Sequence, residues 1–148
     1  MSTYTQITYQ IIFSTKYREK TLTKEGRIEL FKDISGILKN KKCFLYQVGG
    51  VEDHIHIVTG IHPSIALADL VKDIKLGCTS FIKEKQLFKD FNGWQVGYSA
   101  FTYSKEARAN LIEYVLNQES HHKSIISKDE LEQMLKEQDI NYDEKYLV

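Results

Sequence analysis

Residues 43–60 read CFLYQVGGVEDHIHIVTG, and this stretch decides the fold. Cys43–Val48 and His54–Gly60 are two short apolar runs, and Gly49, Gly50, Val51, Glu52 and Asp53 between them carry the turn chemistry of an antiparallel hairpin. Side chains alternate faces along a strand, so His54 and His56 must point the same way while Ile55 and Ile57 turn into the core. The second run of the hairpin is therefore a strand with one apolar and one imidazole-bearing face.

Working outward, Thr5–Ser14 is β-branched and aromatic and reads as a strand, followed by a polar loop over Lys16–Lys20. From Lys24 to Asn40, Ile28, Phe31, Ile34, Ile37 and Leu38 recur at helical spacing, with Thr23 available to cap the first turn. Downstream of the hairpin, Ser64 is placed to cap a second helix, whose apolar face runs from Leu67 to Ile82 and whose end falls near Lys85; Gly77 weakens its middle. After a turn-rich connection, Gln95–Thr102 reads as the last strand, with Gly97 marking a bulge or a close backbone approach. Ser104 can cap a third helix over Lys105–His121 that carries Glu106 in its first turn, and Ser127–Gln138 gives a short amphipathic tail helix. The order predicts an α+β fold: a ferredoxin-like (RRM-like) βαββαβ antiparallel sheet with an added C-terminal helix.

The 148 residues suit one domain spanning 1–148, with a core over about 1–126 and a short acidic helical tail over about 127–148. A hydrophobic fraction of 42% and a single Pro exclude a disordered or low-complexity chain. No leader-like N-terminus and no membrane-length apolar run is visible, so the expected location is cytoplasmic, with no membrane partner. Cys43 and Cys78 stand alone, which argues against a disulfide framework or a cysteine-built zinc site. The net charge of +0 removes the usual basic footprint of nucleic-acid binding, yet it conceals an asymmetry. Residues 128–148 hold 3 Lys+Arg against 7 Asp+Glu, which leaves the rest of the chain at +4 and this tail at −4.

Two imidazoles about 7 Å apart along a strand face can converge on one divalent ion. An HxH taken alone is as readily a structural pair, so further donors are needed. Tyr114 and Gln118 are four apart and share a helical face, and a helix laid over the sheet could present both to the same metal. The amide oxygen of Gln118 is a hard ligand that suits Mg²⁺ or Mn²⁺. A phenol of pKa about 10 becomes a useful nucleophile toward a phosphodiester when a cation neutralises the phosphate, and this makes Tyr114 the candidate nucleophile. His121 and His122 lie close to the same face, and Asp53 can orient the imidazole of His54, although turn capping explains it equally well. Lys72, Lys75, Lys83, Lys85 and Lys89 form either a phosphate-tracking face or a solvated helix surface.

Four segments together resemble a known family: the opening strand running into a KYR turn, VEDHIHIV (51–58), WQVGYSAF (94–101) and YVLNQESHH (114–122). In this order and at these intervals they resemble the small single-tyrosine HUH transposases of bacterial insertion sequences, the IS200-like type and its relatives, the REP-associated tyrosine transposases. The resemblance implies metal ligation by His54, His56 and Gln118 and nucleophilic attack by Tyr114. It also implies a 5′-phosphotyrosine intermediate, hairpin-forming single-stranded DNA ends as substrate, and a homodimer in which Tyr114 can act in trans. Candidate DNA contacts are Lys16, Arg18, Trp94, Tyr98 and Tyr103, the aromatic ones by stacking on unpaired bases, with core packing the competing role. A histidine-triad hydrolase would need a third His at Val58, and a two-histidine phosphodiesterase would need two separate motifs, so both readings fail. A non-catalytic single-strand-binding module of the same fold, or an HUH initiator or relaxase-type nickase, are the rival readings.

Overall fold

The computed structural model describes residues 2–122 and 125–147. In chain order the elements are β1 (Thr8–Ser14), a 3-10 turn (Lys16–Arg18), α1 (Lys24–Asn40), β2 (Leu45–Gly50), β3 (His54–Gly60) and α2 (Leu67–Lys85), then β4 (Ser99–Tyr103), α3 (Arg108–Leu116), α4 (Gln118–His121), α5 (Ser127–Glu137) and a closing 3-10 turn (Glu144–Tyr146). The strands form one antiparallel sheet in the order β2-β3-β1-β4, the ferredoxin-like arrangement expected from the element order.

Period-2 alternation divides the molecule into two layers around the sheet. On one face Ile11 and Phe13 of β1 and Ile55 and Ile57 of β3 pack with Leu30, Ile34 and Leu38 of α1 and Leu70, Ile74 and Cys78 of α2. Beneath the other face, Val58 meets Leu111 and Val115 of α3, while Ile12 and Phe101 meet Met134 and Leu135 of α5. The register sets Gln10 opposite Val58, Ile12 opposite His56 and Ser14 opposite His54, so the imidazoles and Gln10 belong to the α3–α5 side. Cys43 and Cys78 are buried free thiols. Among the described residues no helix is long and apolar enough to cross a membrane.

Several local expectations are corrected. The first strand begins at Thr8, where pairing with both neighbours starts, and not at Thr5. The second runs to Gly50, so the hairpin turn shrinks to Val51–Asp53 and both glycines lie in the ladder. The reason is contact, not turning: a Cβ on Gly49 would sit 2.1 Å from the carbonyl oxygen of Val115, so only glycine lets α3 lie this close to β2. Ser64 does not cap α2, which starts after Ala66; its hydroxyl pairs instead with Nδ1 of His62 at 2.6 Å. Thr23 occupies the N-cap position of α1 without a side-chain cap bond. Gly97, at φ +92°, lies in the break between Gln95, whose N–H still bonds Ser14 O at 2.9 Å, and β4, which is confined to Ser99–Tyr103. The expected long third helix starts late, at Arg108, and is interrupted at Asn117 (φ −97°, ψ 23°) between α3 and α4.

The close approach at Gly49 makes a prediction. Gly49→Ala should lose about 1–3 kcal/mol by overpacking against α3, whereas Gly36→Ala, with open space around it on α1, should gain up to about 1 kcal/mol. Urea denaturation of both proteins checks the pair, and equal midpoints would remove the packing argument.

Candidate active site

β3 supplies the floor of the site. His54 and His56 are 2% and 0% exposed, with ring centroids 4.9 Å apart. Each Nδ1 meets an oxygen acceptor at 2.7 Å, Asp53 Oδ1 for His54 and Gln10 Oε1 for His56. Both Nδ1 atoms therefore donate, and both Nε2 atoms turn toward the same centre, the orientation that metal-bound imidazoles take from such partners. Gln10 is itself fixed by donating from Nε2 to Tyr103 Oη at 2.8 Å, and Ser127 Oγ donates to Asp53 at 2.8 Å.

The helices supply the roof. Tyr114, on α3, brings its ring centroid within 5.9 Å of that of His56 in the same chain. Gln118 is 1% exposed, and its Oε1 lies 3.3 Å from His54 Nε2. The break at Asn117 leaves the i, i+4 relation intact because the turn-to-turn hydrogen bonds Asn117 N to Glu113 O and His121 N to Asn117 O continue across it. The expected pair thus does face the expected histidines. His122 also joins the group, with its ring 4.6 Å from that of His54.

Glu130, on α5, is the residue that sequence reasoning missed, and it occupies the middle of this arrangement at 3% exposure. Its Oε1 lies 3.0 Å from His56 Nε2 and 3.2 Å from His54 Nε2. Oε2 accepts hydrogen bonds from Tyr114 Oη and from Gln118 Nε2, and it lies at ion-pair distance from the Nε2 atoms of His121 (3.0 Å) and His122 (3.1 Å). One signal was available in the sequence: Ser127, Glu130, Leu131, Met134 and Leu135 recur at helical spacing, so Glu130 falls within the apolar stripe of its own helix.

Burial opposes charge on His54, but Asp53 and Glu130 outweigh it and raise its pKa to about 9. For His56 burial wins over the attraction of Glu130, and the value falls to about 4. Glu130 loses hydration, yet His122, His54 and His56 hold it well below the usual carboxylate range. Burial and the adjacent Glu130 push the Tyr114 phenol well above its ordinary value, so in this arrangement it keeps its proton. His54, His122 and Glu130 present ligand atoms within 4.8 Å of one another and could hold a metal ion. Three separations also fit, those of Glu130 Oε1 from His56 Nε2 (3.0 Å) and His54 Nε2 (3.2 Å) and of Gln118 Oε1 from His54 Nε2 (3.3 Å): neighbouring ligands of one octahedral cation with bonds of about 2.1 Å sit about 3.0 Å apart.

The candidate DNA contacts divide. Arg18 is half-buried and lines a cleft beside His54, together with Tyr98 and, from the C-terminal side, Ser127, Glu130, Leu131 and Leu147. Lys16 is exposed on the same turn, and Tyr17 and Arg18 both adopt left-handed backbone conformations (φ 57° and 54°), a strain of about 1–3 kcal/mol each. Trp94 instead packs its ring edgewise on Phe13 and Phe91, at centroid distances of 4.9 and 5.0 Å. Tyr103 is engaged by Gln10 in the polar network and is half-buried there. Of the lysines on α2 (Lys72, Lys75, Lys83 and Lys85), Lys75 is tied down, donating to the carbonyls of Gln95 and Gly97; Lys89 lies beyond the helix.

The sequence pattern of the family described as "Transposase IS200 like" matches residues 3–118. The ISDra2 transposase TnpA of Deinococcus radiodurans is 28% identical over 122 residues, covering 76% of this chain and 84% of that protein. Solved structures share the fold, and two of them are transposases. One is described as a transposase from Deinococcus radiodurans R1, with a TM-score of 0.59 and 26% identity over 80% of this chain and 95% of that one. The other is a REP-associated tyrosine transposase bound to a REP hairpin, with a TM-score of 0.62 and 14% identity over 84% and 76% of the two chains. Glu130 and α5 lie beyond the stretch matched by the family pattern.

The titration of His54 has a measurable consequence for the metal-free protein. Its folded value, about 9, exceeds the ordinary 6.5, so its contribution is complete below pH 6.5 and is lost as pH rises through 9. That contribution is of the order of 3 kcal/mol. Denaturation midpoints measured from pH 6 to pH 10 should fall across that window, and Asp53→Asn, which removes one of the two carboxylates responsible, should flatten the fall. An unchanged slope in the variant would contradict this assignment.

Proposed function

The chain belongs to the IS200-like transposase family, and from that premise we propose that it cuts and rejoins single-stranded DNA at hairpin-marked ends, with Tyr114 as nucleophile. The single observation that carries this reading is the convergence of the Tyr114 phenol, the two β3 imidazoles and the Gln118 amide on one buried point within one chain. A non-catalytic strand-binding module has no use for a phenol held there. The partner class is the one held by the similarly folded REP-associated transposase, a DNA hairpin.

His54, His56 and Gln118 hold a Mg²⁺ or Mn²⁺ ion in this reading, with Asp53 and Gln10 keeping both imidazoles in the ligating orientation. The cation supplies charge neutralisation at the scissile phosphate. Tyr114 Oη attacks phosphorus, its proton passes to solvent, and the bond to the 3′ oxygen breaks as that oxygen takes up a proton and leaves as a hydroxyl. The product is a 5′-phosphotyrosine. A free 3′-hydroxyl reverses the step and reseals a strand without ATP, because the covalent link conserves the phosphodiester's energy. Arg18 and Tyr98, which line the cleft, guide the strand toward His54, with Lys16 exposed on the same turn as Arg18. Pairing of two copies belongs to the same reading, with the difference that one chain already joins Tyr114 to its own histidines.

Incubation with a labelled hairpin-ended single strand and Mn²⁺ or Mg²⁺ should yield a covalent protein–DNA adduct. Tyr114→Phe should yield none, a chelator should abolish it, and Asp53→Asn should slow it about 10- to 100-fold. Strand binding without any adduct would favour the non-catalytic module.

A further inference from the structure

One edge of the sheet does not close regularly. β4 pairs with β1 as far as Ser99 opposite Ile12, and the next bridge is Trp94 opposite Thr15. Between those points β1 advances three residues and the other strand five, so two residues more than the ladder holds are looped out as a bulge. Its start is anchored: Gln95 N–H donates to Ser14 O at 2.9 Å, and Gln95 Oε1 accepts from Tyr17 N at 3.1 Å. Beyond that anchor Val96 is 95% exposed and Tyr98 41%, and both line the cleft beside His54.

Looped-out backbone leaves carbonyls without ladder partners. One side chain of α2 takes two of them, since Lys75 Nζ donates to Gln95 O at 2.9 Å and to Gly97 O at 2.5 Å. The ammonium also lies 5.7 Å from the centroid of the Phe13 ring, which packs in the α1–α2 layer. Lys72, Lys83 and Lys85 of the same helix are exposed, whereas Lys75 exchanges part of its hydration for the backbone of a loop. It is not a lining residue of the cleft, so it acts on that cleft through the bulge.

We propose that the 95–98 bulge is a seat for one unpaired base of the bound strand, with Tyr98 and Val96 as its contact surface and Lys75 as the positioning residue that sets its shape. The seat rests on the strand-transfer reading, which is what brings a single strand to this cleft. Every base offers a π-face, and stacking on an exposed ring needs no particular sequence. It does need the ring held in place. A looped-out segment with a glycine at φ +92° has many alternatives, and clamping two of its carbonyls on one ammonium removes them before the strand arrives.

Affinity is measured with the full chain in chelator, on a hairpin-ended single strand taken from the DNA flanking the coding sequence. Copies of that strand carry an abasic site at each unpaired position in turn. They keep every phosphate, so the ratio of affinities is insensitive to a change in protein charge. In the parent, removal of one particular base should weaken binding about tenfold, the size of one base–aromatic stack. Tyr98→Ala, Lys75→Met and Gly97→Ala should each reduce that penalty to about twofold or less. Gly97→Ala guards against a variant that simply unfolds, because nothing lies within 4 Å of the added Cβ and only the bulge conformation is strained. A full penalty in any of the three variants overturns the proposal; in Lys75→Met, a lowered melting temperature with the penalty intact makes that lysine a purely structural one. A parent that shows no such penalty, or binds no strand, overturns it as well. So does loss of all binding in a folded variant, which one seat cannot explain. The expected pattern of penalties with no adduct from any protein in Mn²⁺ upholds the seat and sinks the strand-transfer reading instead.

Discussion

On β3, side chains must alternate between two faces, and both faces are buried. Ile55 and Ile57 are held by α1 and α2, each burial being worth about 1.5–3 kcal/mol. A slip of one residue would exchange them for His54 and His56, placing two imidazoles in the apolar core. The hydrophobic layer thus sets the position of the polar one, and the imidazole pair inherits the rigidity of the central strand. The rest of the site depends on that constraint, because α3, α4 and α5 all converge on a face whose register β1 and β3 have already settled.

Such a face is expensive. Gln10, Asp53, His54, His56, Gln118 and Glu130 are all buried, and each buried polar group left without a partner would cost several kcal/mol. The chain meets this by engaging them with one another: Gln10 joins His56 to Tyr103, Asp53 joins His54 to Ser127, and Glu130 closes the centre. A cluster of this kind contributes little net stability relative to an apolar filling. Its benefit is orientation, since two imidazoles with both Nδ1 atoms engaged have only one direction in which to present Nε2.

Electrostatics then distinguishes the two histidines, although they sit two residues apart on one strand. His54 has carboxylates on both sides and is favoured in its charged form, while His56 is more deeply enclosed and is held neutral. The proton therefore resides on one ring, and the two imidazoles are not equivalent. Gly49 makes a different contribution: by omitting a side chain it brings the backbone of α3 against β2, and this sets how closely the phenol of Tyr114 can approach the strand.

What was legible in the sequence is what depends on neighbours a few residues away. The alternation of HIHIV, the helical spacing of α1 and α2, and the four-residue step from Tyr114 to Gln118 all follow from local backbone geometry, and the structure brings those residues to one place. Glycine was harder to read, because Gly49 and Gly50 carry the same turn signature whether they bend the chain or admit another backbone; only the contact with Val115 decides between them. The N-caps at Thr23 and Ser64 failed for a similar reason, since a hydroxyl near a helix start bonds wherever its surroundings offer a partner. Glu130 was the least legible. In SKDELEQMLKE it is one acidic residue among several, and its burial follows from α5 docking against Ile12 and Phe101, which are more than 100 and nearly 30 residues away along the chain. Periodicity reports which side of an element a residue occupies. Only the folded chain decides which surface that side meets, because that choice is made by packing between segments that the sequence does not bring together.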